Sequence, residues 1–322
     1  MALKQKFKLH YGFDIKELKK FKDGFLVKTS KAEYLLKKTK MSPAEIVFIF
    51  HCHQHLKDNK FVNFEKIVPT KDGCPYLIFN RNTYVLIEHF KKEPIEFSEK
   101  QLASLVEFIN AFHSASSNLK SAVGARYKVQ YGKDRIAARN MYSMFTKLKE
   151  NPQLIKSERL RNIILSTIDT NIEYVKKALE ILEDDRYLEV ISRSMQENRF
   201  IHGKLAIYNI HKCYGKLRLA NMFDLELNVR EKDIATFVKS LLKIDKNFDF
   251  EDCISKFYVT SYDNYKKWLV LAMILLPYEY FSLLKKIIRF KDLDWASEGF
   301  EEKIKRICEK DQYKDKILAS LH

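Results

Sequence analysis

Residues 200–224 read FIHGKLAIYNIHKCYGKLRLANMFD, and this stretch decides the fold of the chain. A His-Gly-Lys triplet occupies positions 202–204, and Asn209 follows the lysine by five residues. Two short runs of strand-forming residues, 211–214 and 217–222, come next on either side of a glycine and predict a β-hairpin. The order is therefore a polar loop, an asparagine, and a hairpin that ends in an acidic sequence.

This order matches the catalytic loop of kinases and kinase-like phosphotransferases, His-(Arg/Gly)-Asp-x-x-x-x-Asn followed by a hairpin. In that loop the Asp positions the attacking hydroxyl, the Asn holds a magnesium ion, and the hairpin delivers a second metal-binding Asp. Here Lys204 stands at the first Asp position and Met222 at the second. The polar residues that remain are His202, Asn209 and Asp224.

The two replacements remove chemistry that phosphoryl transfer requires. Magnesium prefers oxygen ligands, whereas a thioether is a soft and weak acceptor. A positioned Asp base contributes ~100- to 10,000-fold in rate, and a charged lysine can neither accept the proton nor coordinate a cation. We therefore expect no intact catalytic set and no metal site. Asp224 is the alternative metal ligand, but residues two apart on a strand lie about 6 to 7 Å apart, so the backbone would have to rearrange.

The composition indicates a basic globular protein. The chain has 322 residues, of which 46% are hydrophobic, enough for one large or two modest domains with a sizeable core. Its formal charge of +16 favours acidic partners, although the same lysines also suit an ordinary soluble surface. No basic cluster is interleaved with aromatic residues in a nucleic-acid-binding motif, so nucleic acid is not an expected partner.

The cysteines and the apolar runs bear on the cellular compartment. The five cysteines contain no C-x-x-C pair, which indicates neither a disulfide framework nor a zinc site and fits a reducing cytoplasm. The longest apolar run, 268–276, ends at Pro277 and is far shorter than the ~20 residues that span a bilayer. We therefore predict a buried helix there and no membrane span.

The first ninety residues predict antiparallel strands with one helix. Runs 24–29 and 33–38 predict two strands, and Lys37 on the second is the candidate phosphate-binding lysine. Ser42 and Glu45 form a predicted capping box for a helix that runs to about residue 56. Glu45 either pairs with Lys37 or only caps this helix, and the sequence leaves both open. No G-x-G-x-x-G loop precedes the lysine strand.

Two further features of this region are candidates for a ligand site. His51 and His55 lie four apart on one helix face, which suits a metal ion, but no third ligand follows at a suitable spacing, so helix surface or packing is the alternative. Runs 76–79 and 83–89 predict two more strands, and the second ends in Glu88 and His89, where a kinase-like chain passes over the nucleotide base. We place a lobe boundary near residues 90–94, with domains 1–92 and 93–322.

The rest of the chain predicts helices, with short polar interruptions. Apolar residues repeat at helical spacing from Leu102 to Phe112, after a second predicted capping box at Ser98 and Gln101. The further amphipathic stretches are 133–149, 157–182, 187–197, 233–243, 261–276, 279–290 and 300–318. Together with the strands, they predict an α+β chain with a β-rich N-lobe and a mostly helical C-lobe.

Taken in order, the motifs resemble the bacterial spore-coat kinase-like family of the CotS type, within the aminoglycoside and choline phosphotransferase superfamily. The resemblance spans about residues 10–315 and is carried by short motifs at Tyr34-Leu35-Leu36-Lys37, Ser42-Pro43-Ala44-Glu45, 55–56, 61–64, 69–73, 112–116 and 275–281. Each motif is weak alone, and their order and spacing make the match specific.

The central motif of that family is His-Gly-Asp-(x)4-Asn, then Asp-Phe-Asp, then an Asp that leads a helix eleven residues after the first of those Asps. His202, Gly203 and Asn209 match this pattern, and Asp224 matches the second acidic residue. Asp233 matches the last and sets the register, in which Lys204 and Met222 depart from the family.

The resemblance implies a two-lobe, protein-kinase-like fold of the aminoglycoside phosphotransferase type. It also implies a spore coat or coat-assembly protein made in the mother-cell cytoplasm, with other coat proteins as partners. With its altered loop the chain is then a pseudokinase, for which no cofactor and no magnesium are expected. The alternative is a small-molecule phosphotransferase that uses altered residues.

The predicted cleft is the place for a bound nucleotide or another anion. The candidate residues of a vestigial ATP cleft are Lys37, Glu45, Glu88, His89 and Asn209. If Lys204 also faces this cleft, its charge could hold an anion without metal. The alternative is that Lys204 forms a salt bridge or points to solvent.

Overall fold

The computed structural model describes residues 3–21, 24–30, 32–93, 95, 98–258, 264–289 and 297–321. The chain divides into two compact units, Met1–Gln130 with Ser194–Arg230, and Tyr131–Arg193 with Glu231–His322. The first unit contains both the N-terminal strands and residues 200–224. The lobe boundary predicted between residues 92 and 93 would place these two segments in different lobes. That boundary stays a prediction.

The first unit is built on an antiparallel sheet. Its strands follow the order β1-β2-β3-β6-β4, and β5 pairs separately with β6. The strands are β1 Glu17–Phe21, β2 Gly24–Lys28, β3 Glu33–Thr39, β4 Ile67–Val68, β5 Leu77–Phe79 and β6 Asn82–Glu88. The four strands predicted from the sequence correspond to β2, β3, β5 and β6.

The two faces of the sheet have different surroundings. Leu36 on β3 is fully buried against the helix α1 Leu3–Tyr11, through Phe7 and Tyr11. The neighbouring residue Lys37 points to the opposite face because side chains alternate along a strand. Helix α1 is an addition to the single N-terminal helix expected from the sequence. Its lysine-rich sequence carries little helical signal, and its two buried aromatic rings attach it to the sheet.

Two hairpin turns follow from local sequence. In the β5–β6 hairpin, Asn80 and Arg81 both have positive φ, at 48° and 59°. In the hairpin of β8 Ile210–Cys213 and β9 Lys216–Leu219, Tyr214 and Gly215 have φ of 50° and 74°. Two-residue turns with positive φ at both positions match the twist of antiparallel strands. The hairpin predicted around Gly215 is therefore confirmed.

Two helices of the first unit test the predicted capping boxes. Helix α2 Pro43–Asp58 begins at Ser42, and both bonds of the box with Glu45 form. Helix α3 Glu99–Ala115 begins at Ser98, but the Ser98 side chain accepts no capping bond, so the second predicted box is wrong. There the backbone N–H of Gln101 donates to the Ser98 carbonyl oxygen at 2.9 Å instead.

The second unit is helical in its described part. It contains α4 Lys133–Glu150, α5 Glu158–Leu182, the start of α6 Asp185–Gln196, α7 Glu231–Leu242, α8 Phe250–Lys256, α9 Asn264–Leu275, α10 Tyr278–Arg289, α11 Ser297–Asp311 and α12 Tyr313–Ser320. The long helix α5 packs against α4, α9 and α11. The predicted stretch 300–318 is two helices, which meet at Gln312. The start of the predicted helix 261–276 and the end of the predicted helix 279–290 lie outside the described residues.

One stretch of this unit is apolar enough for a membrane span by length and composition. It is Asn264–Arg289, with a mean hydropathy of 1.4, and 67% of its most apolar window is buried inside the protein. Pro277 separates it into α9 and α10, and residues 269–276 are all buried. The buried helix predicted here is confirmed, since α9 forms part of the core of the second unit.

Candidate functional site

The two ends of the predicted catalytic loop are held together by a short strand pair. Strand β7 Phe200–Ile201 pairs antiparallel with β10 Glu226–Leu227. Between them Gly203 has a φ of 79°, and a Cβ at this position would lie 2.4 Å from the carbonyl oxygen of Asp224. Only glycine allows this conformation and this approach without strain. The pair and the glycine together place residues 202–204 beside Asp224.

His202 ties the loop to the hairpin. Its ring is fully buried, and its Nε2–H donates to the carbonyl oxygen of Ala220 at 2.9 Å. Its Nδ1 accepts the backbone N–H of Lys204 at 3.3 Å. One ring nitrogen donates and the other accepts, as in a neutral imidazole. His202 therefore fixes the loop in place, as a kinase-like loop requires, and does not present a proton to solvent.

Lys204, at the position of the catalytic base in the kinase pattern, forms an ion pair with Asp224, the alternative metal ligand. The Lys204 Nζ lies 3.1 Å from Asp224 Oδ1. The Lys204 side chain is 67% exposed and that of Asp224 is 34% exposed. Of the alternatives left open for Lys204, the structure shows the salt bridge, on a side chain that is also largely in solvent. Met222 is fully buried, and its side chain offers no oxygen.

The amide of Asn209 is used within the loop itself. Its Nδ2 donates to the carbonyl oxygen of Lys204 at 2.8 Å, and its Oδ1 accepts from Asn221 Nδ2 at 2.5 Å. Asn209 is almost fully buried. The oxygen that would coordinate a cation in a kinase therefore accepts a hydrogen bond here.

Carboxylates near the loop each have a cationic partner. Glu65 accepts the backbone N–H of Asn221 at 2.7 Å and pairs with Lys92 at 2.6 Å. Glu226 pairs with Lys128 at 2.8 Å, and the same ammonium donates to the Asp224 carbonyl oxygen at 3.4 Å. These partners come from distant parts of the chain, and no local sequence pattern predicts them.

The donor set does not fit a magnesium ion. Magnesium needs several oxygen ligands in near-octahedral geometry. The Asp224 carboxylate faces an ammonium, the Asn209 oxygen faces an amide N–H, and Met222 supplies only a buried thioether. Among the described residues, no group of three or more His, Cys, Asp and Glu side chains is arranged to hold a metal ion.

A cavity of about 330 Å³ opens on the face of the sheet opposite α1. It brings together three of the predicted cleft residues, Lys37, Glu88 and His89. The remaining lining residues are Phe21, Gly24, Leu35, Glu65, Ile87, Lys92, Asn221 and Phe223. Asn209 does not line the cavity but contacts the lining residue Asn221. The cavity has the place and size of a small-molecule site.

The charged groups of this cavity differ in whether they have a partner of opposite charge. Lys92 pairs with Glu65, and Glu88 lies 3.6 Å from Arg218. Lys37 has no carboxylate partner among the described residues, and its ammonium lies 4.9 Å from the centre of the Phe223 ring. A cation over an aromatic face keeps N–H donors available to a ligand. The Phe223 contact was not anticipated, although the residue belongs to the quoted motif.

Glu45 does not join this cavity. Its carboxylate accepts the N–H and the hydroxyl of Ser42, both at 2.8 Å, and these bonds lower the pKa of Glu45. No ion pair links it to Lys37 in the described part of the chain. Of the two roles considered for Glu45, the structure shows the capping role.

The histidines of α2 are also used for packing. His51 and His55 each donate from Nε2 to a backbone carbonyl oxygen, that of Lys120 at 2.6 Å and that of Ser117 at 2.8 Å. Both carbonyl groups lie in the segment after α3. The structure therefore shows these rings holding α2 to that segment.

Comparison with known proteins identifies the fold. No protein-family model matches the sequence, and no curated protein matches it either. The structure is similar to an aminoglycoside phosphotransferase from Alicyclobacillus acidocaldarius, with a TM-score of 0.76 and 18% identity over 100% of this chain and 96% of that one.

Two further solved structures agree. A spectinomycin phosphotransferase bound to AMP has a TM-score of 0.64 and 11% identity over 99% of this chain and 97% of that one. An amicoumacin kinase in complex with AMP-PNP and Ca²⁺ has a TM-score of 0.55 and 13% identity, over 94% and 92% of the two chains. The α+β, aminoglycoside phosphotransferase-like fold predicted from the sequence is confirmed.

Proposed function

We propose that this chain is a pseudokinase, a kinase-like protein that does not transfer phosphate. The observation that carries the proposal is the Lys204–Asp224 ion pair, with 3.1 Å between Nζ and Oδ1. Lys204 stands where active members of this fold need a base, and Asp224 is the acidic residue that remains beside Met222, at the metal-binding position. Lys204 replaces the base, and its ammonium also neutralises the Asp224 carboxylate.

The expected loss of rate is large. A general base contributes ~100- to 10,000-fold, and a charged lysine supplies none of this. Phosphoryl transfer also depends on cations that neutralise the charge on the transferred group. Lys204 adds a positive charge but cannot bridge phosphate oxygens as a divalent ion does. We therefore expect no turnover above the uncatalysed reaction.

We propose further that the cavity holds a nucleotide without turning it over. Solved structures with this fold were obtained with AMP, ADP and AMP-PNP. In this chain the same fold presents a cavity of about 330 Å³ with Lys37 directed to an aromatic ring and not to a carboxylate. These observations support an anionic ligand whose phosphates approach Lys37.

The cellular role that we propose is in the bacterial spore coat. It rests on the ordered motifs that resemble the CotS-type family, from Tyr34 to residues 275–281. On this proposal the chain is made in the mother-cell cytoplasm, then joins the coat and binds other coat proteins. The formal charge of +16 favours acidic partners. Retention of the purified chain by solubilised coat protein, weakened by salt, would support this role, and no retention at low salt would contradict it.

A direct assay tests the pseudokinase proposal. The purified chain is incubated with ATP and magnesium, with a panel of amino-alcohol and aminoglycoside acceptors, and ADP is measured. We expect no ADP above the buffer control. Turnover that is lost in Asn209→Ala and Asp224→Asn would overturn the proposal and favour the alternative, a small-molecule phosphotransferase. The retained Asp224 and the phosphotransferase fold are the observations behind that alternative.

A further inference from the structure

Two ammonium groups pair with carboxylates around the loop, whose counterpart in the kinase pattern carries metal-binding residues. Lys204 pairs with Asp224 at 3.1 Å and Lys128 pairs with Glu226 at 2.8 Å. Both pairs lie in the first unit, and Gly203 packs on the Asp224 backbone that Lys128 also contacts. We propose that the cavity binds the metal-free form of a nucleoside polyphosphate in preference to its magnesium complex. This inference rests on the proposed nucleotide binding.

The first argument is competition for the same oxygen atoms. A magnesium ion bound at Asp224 would have to displace the Lys204 ammonium from Oδ1. It would then stand beside that ammonium, and like charges at close range repel each other. Asn209 could coordinate the ion only by giving up its hydrogen bond from Asn221. Neither cost falls on a ligand that arrives without metal.

The second argument is the charge of the ligand. A free nucleoside polyphosphate carries more negative charge than its magnesium complex. Lys37 contributes a cation to the cavity that has no carboxylate partner among the described residues, and it rests on Phe223. Lys204 is a further, largely exposed cation, and its partner Asp224 directly follows the cavity residue Phe223 in the chain. Fixed cations with few available oxygen ligands favour the more negative, metal-free ligand.

The test measures ATP binding to the full chain by calorimetry, once with EDTA and once with saturating magnesium. We expect at least ~10-fold tighter binding with EDTA, which corresponds to about 1.4 kcal/mol. Equal or tighter binding with magnesium would overturn this inference and leave the pseudokinase proposal to the turnover assay. No binding in either buffer would overturn nucleotide binding, and this inference with it.

Two lysine variants locate the effect. Lys37→Met should weaken ATP binding in both buffers at least ~10-fold, whereas Lys38→Met should not, because Lys38 is exposed on the other side of the same strand. Lys204→Ala should reduce the preference for metal-free ATP without abolishing ATP binding. An unchanged preference in Lys204→Ala would overturn the role of this ammonium. Since Lys204 is 67% exposed, its removal should not prevent folding.

A gain-of-function variant gives a positive control. Lys204→Asp with Met222→Asp restores both acidic residues of the kinase pattern and should reverse the preference, so that magnesium tightens ATP binding. Because Met222 is fully buried, this double variant can fail to fold. The single variant Lys204→Asp is therefore measured beside it, and it should at least abolish the preference for metal-free ATP. Tripolyphosphate as a second probe tests whether the nucleoside is needed.

Discussion

Replacing Gly203 with alanine tests whether the close approach of the loop to Asp224 holds the site together. Gly203 has a φ of 79°, and the added Cβ would lie 2.4 Å from the Asp224 carbonyl oxygen. The left-handed conformation alone costs a non-glycine residue ~1–2 kcal/mol. The contact is with a backbone atom, so the strand pair β7–β10 must shift, and overpacking of this kind costs ~1–3 kcal/mol.

We expect Gly203→Ala to destabilise the protein by about 2–5 kcal/mol, the sum of these two costs. For a domain of 150–250 residues, each kcal/mol lowers the Tm by roughly 2–4 °C. Differential scanning calorimetry should therefore show a loss of roughly 4–20 °C. The displaced Asp224 should also separate from Lys204. The preference of the protein for metal-free ATP over the magnesium complex should therefore shrink in the same variant.

Gly73 provides a matched control for this substitution. It has a φ of 78°, and a Cβ there would meet no atom within 4 Å. Gly73→Ala therefore carries the conformational cost without the contact and should lower the Tm by only about half as much. If Gly203→Ala destabilises the chain no more than Gly73→Ala, the close approach to Asp224 does not constrain the loop and the reasoning is refuted.

Three further predictions concern stability. Phe7→Ala should cost ~3–5 kcal/mol in urea unfolding because the ring is fully buried under the sheet. Leu9→Ala in the same helix should cost little, since Leu9 is 62% exposed, and equal losses would contradict the packing of α1. Ser42→Ala should cost ~1 kcal/mol through loss of the capping box, and an unchanged midpoint would show that the box does not stabilise α2. Burial and the Lys314 ammonium lower the pKa of Lys239 from 10.5 to about 7. The unfolded chain therefore binds this proton more tightly, and stability should rise with pH between about 7 and 10.5. Lys239→Met should reduce this rise by up to about 1.4 kcal/mol per pH unit, measured as Tm against pH, whereas the exposed Lys310→Met should keep it.

Local signals accounted for much of the first unit. The turn at Tyr214–Gly215 and the box at Ser42–Glu45 form as predicted, because each depends on residues close together in sequence. The Ser98–Gln101 box had the same signal and did not form. Residues at the right spacing permit a capping bond, and the surrounding structure decides whether the side chain makes it.

The candidate site was less accessible to sequence reasoning. Lys37, Glu88 and His89 were predicted and share one cavity, because β3, which carries Lys37, pairs with β6, which ends at Glu88. Glu45 was a further candidate for this cavity, but its carboxylate accepts hydrogen bonds from Ser42 instead. Lys92 and Lys128 were not considered, since their carboxylate partners are far away in sequence.

The sequence by itself determined that this chain has a kinase-like fold, and it predicted that Lys204 and Met222 stand at acidic positions of the kinase pattern. Spacing, turn residues and helical periodicity are local properties, and both residues can be read directly from positions 200–224. Only the tertiary structure decided what these residues contact. It places the Lys204 ammonium on Asp224, closes the Asn209 amide with Asn221, and leaves Lys37 on an aromatic ring. Ion pairs and hydrogen bonds between distant residues depend on distances that no spacing along the chain contains.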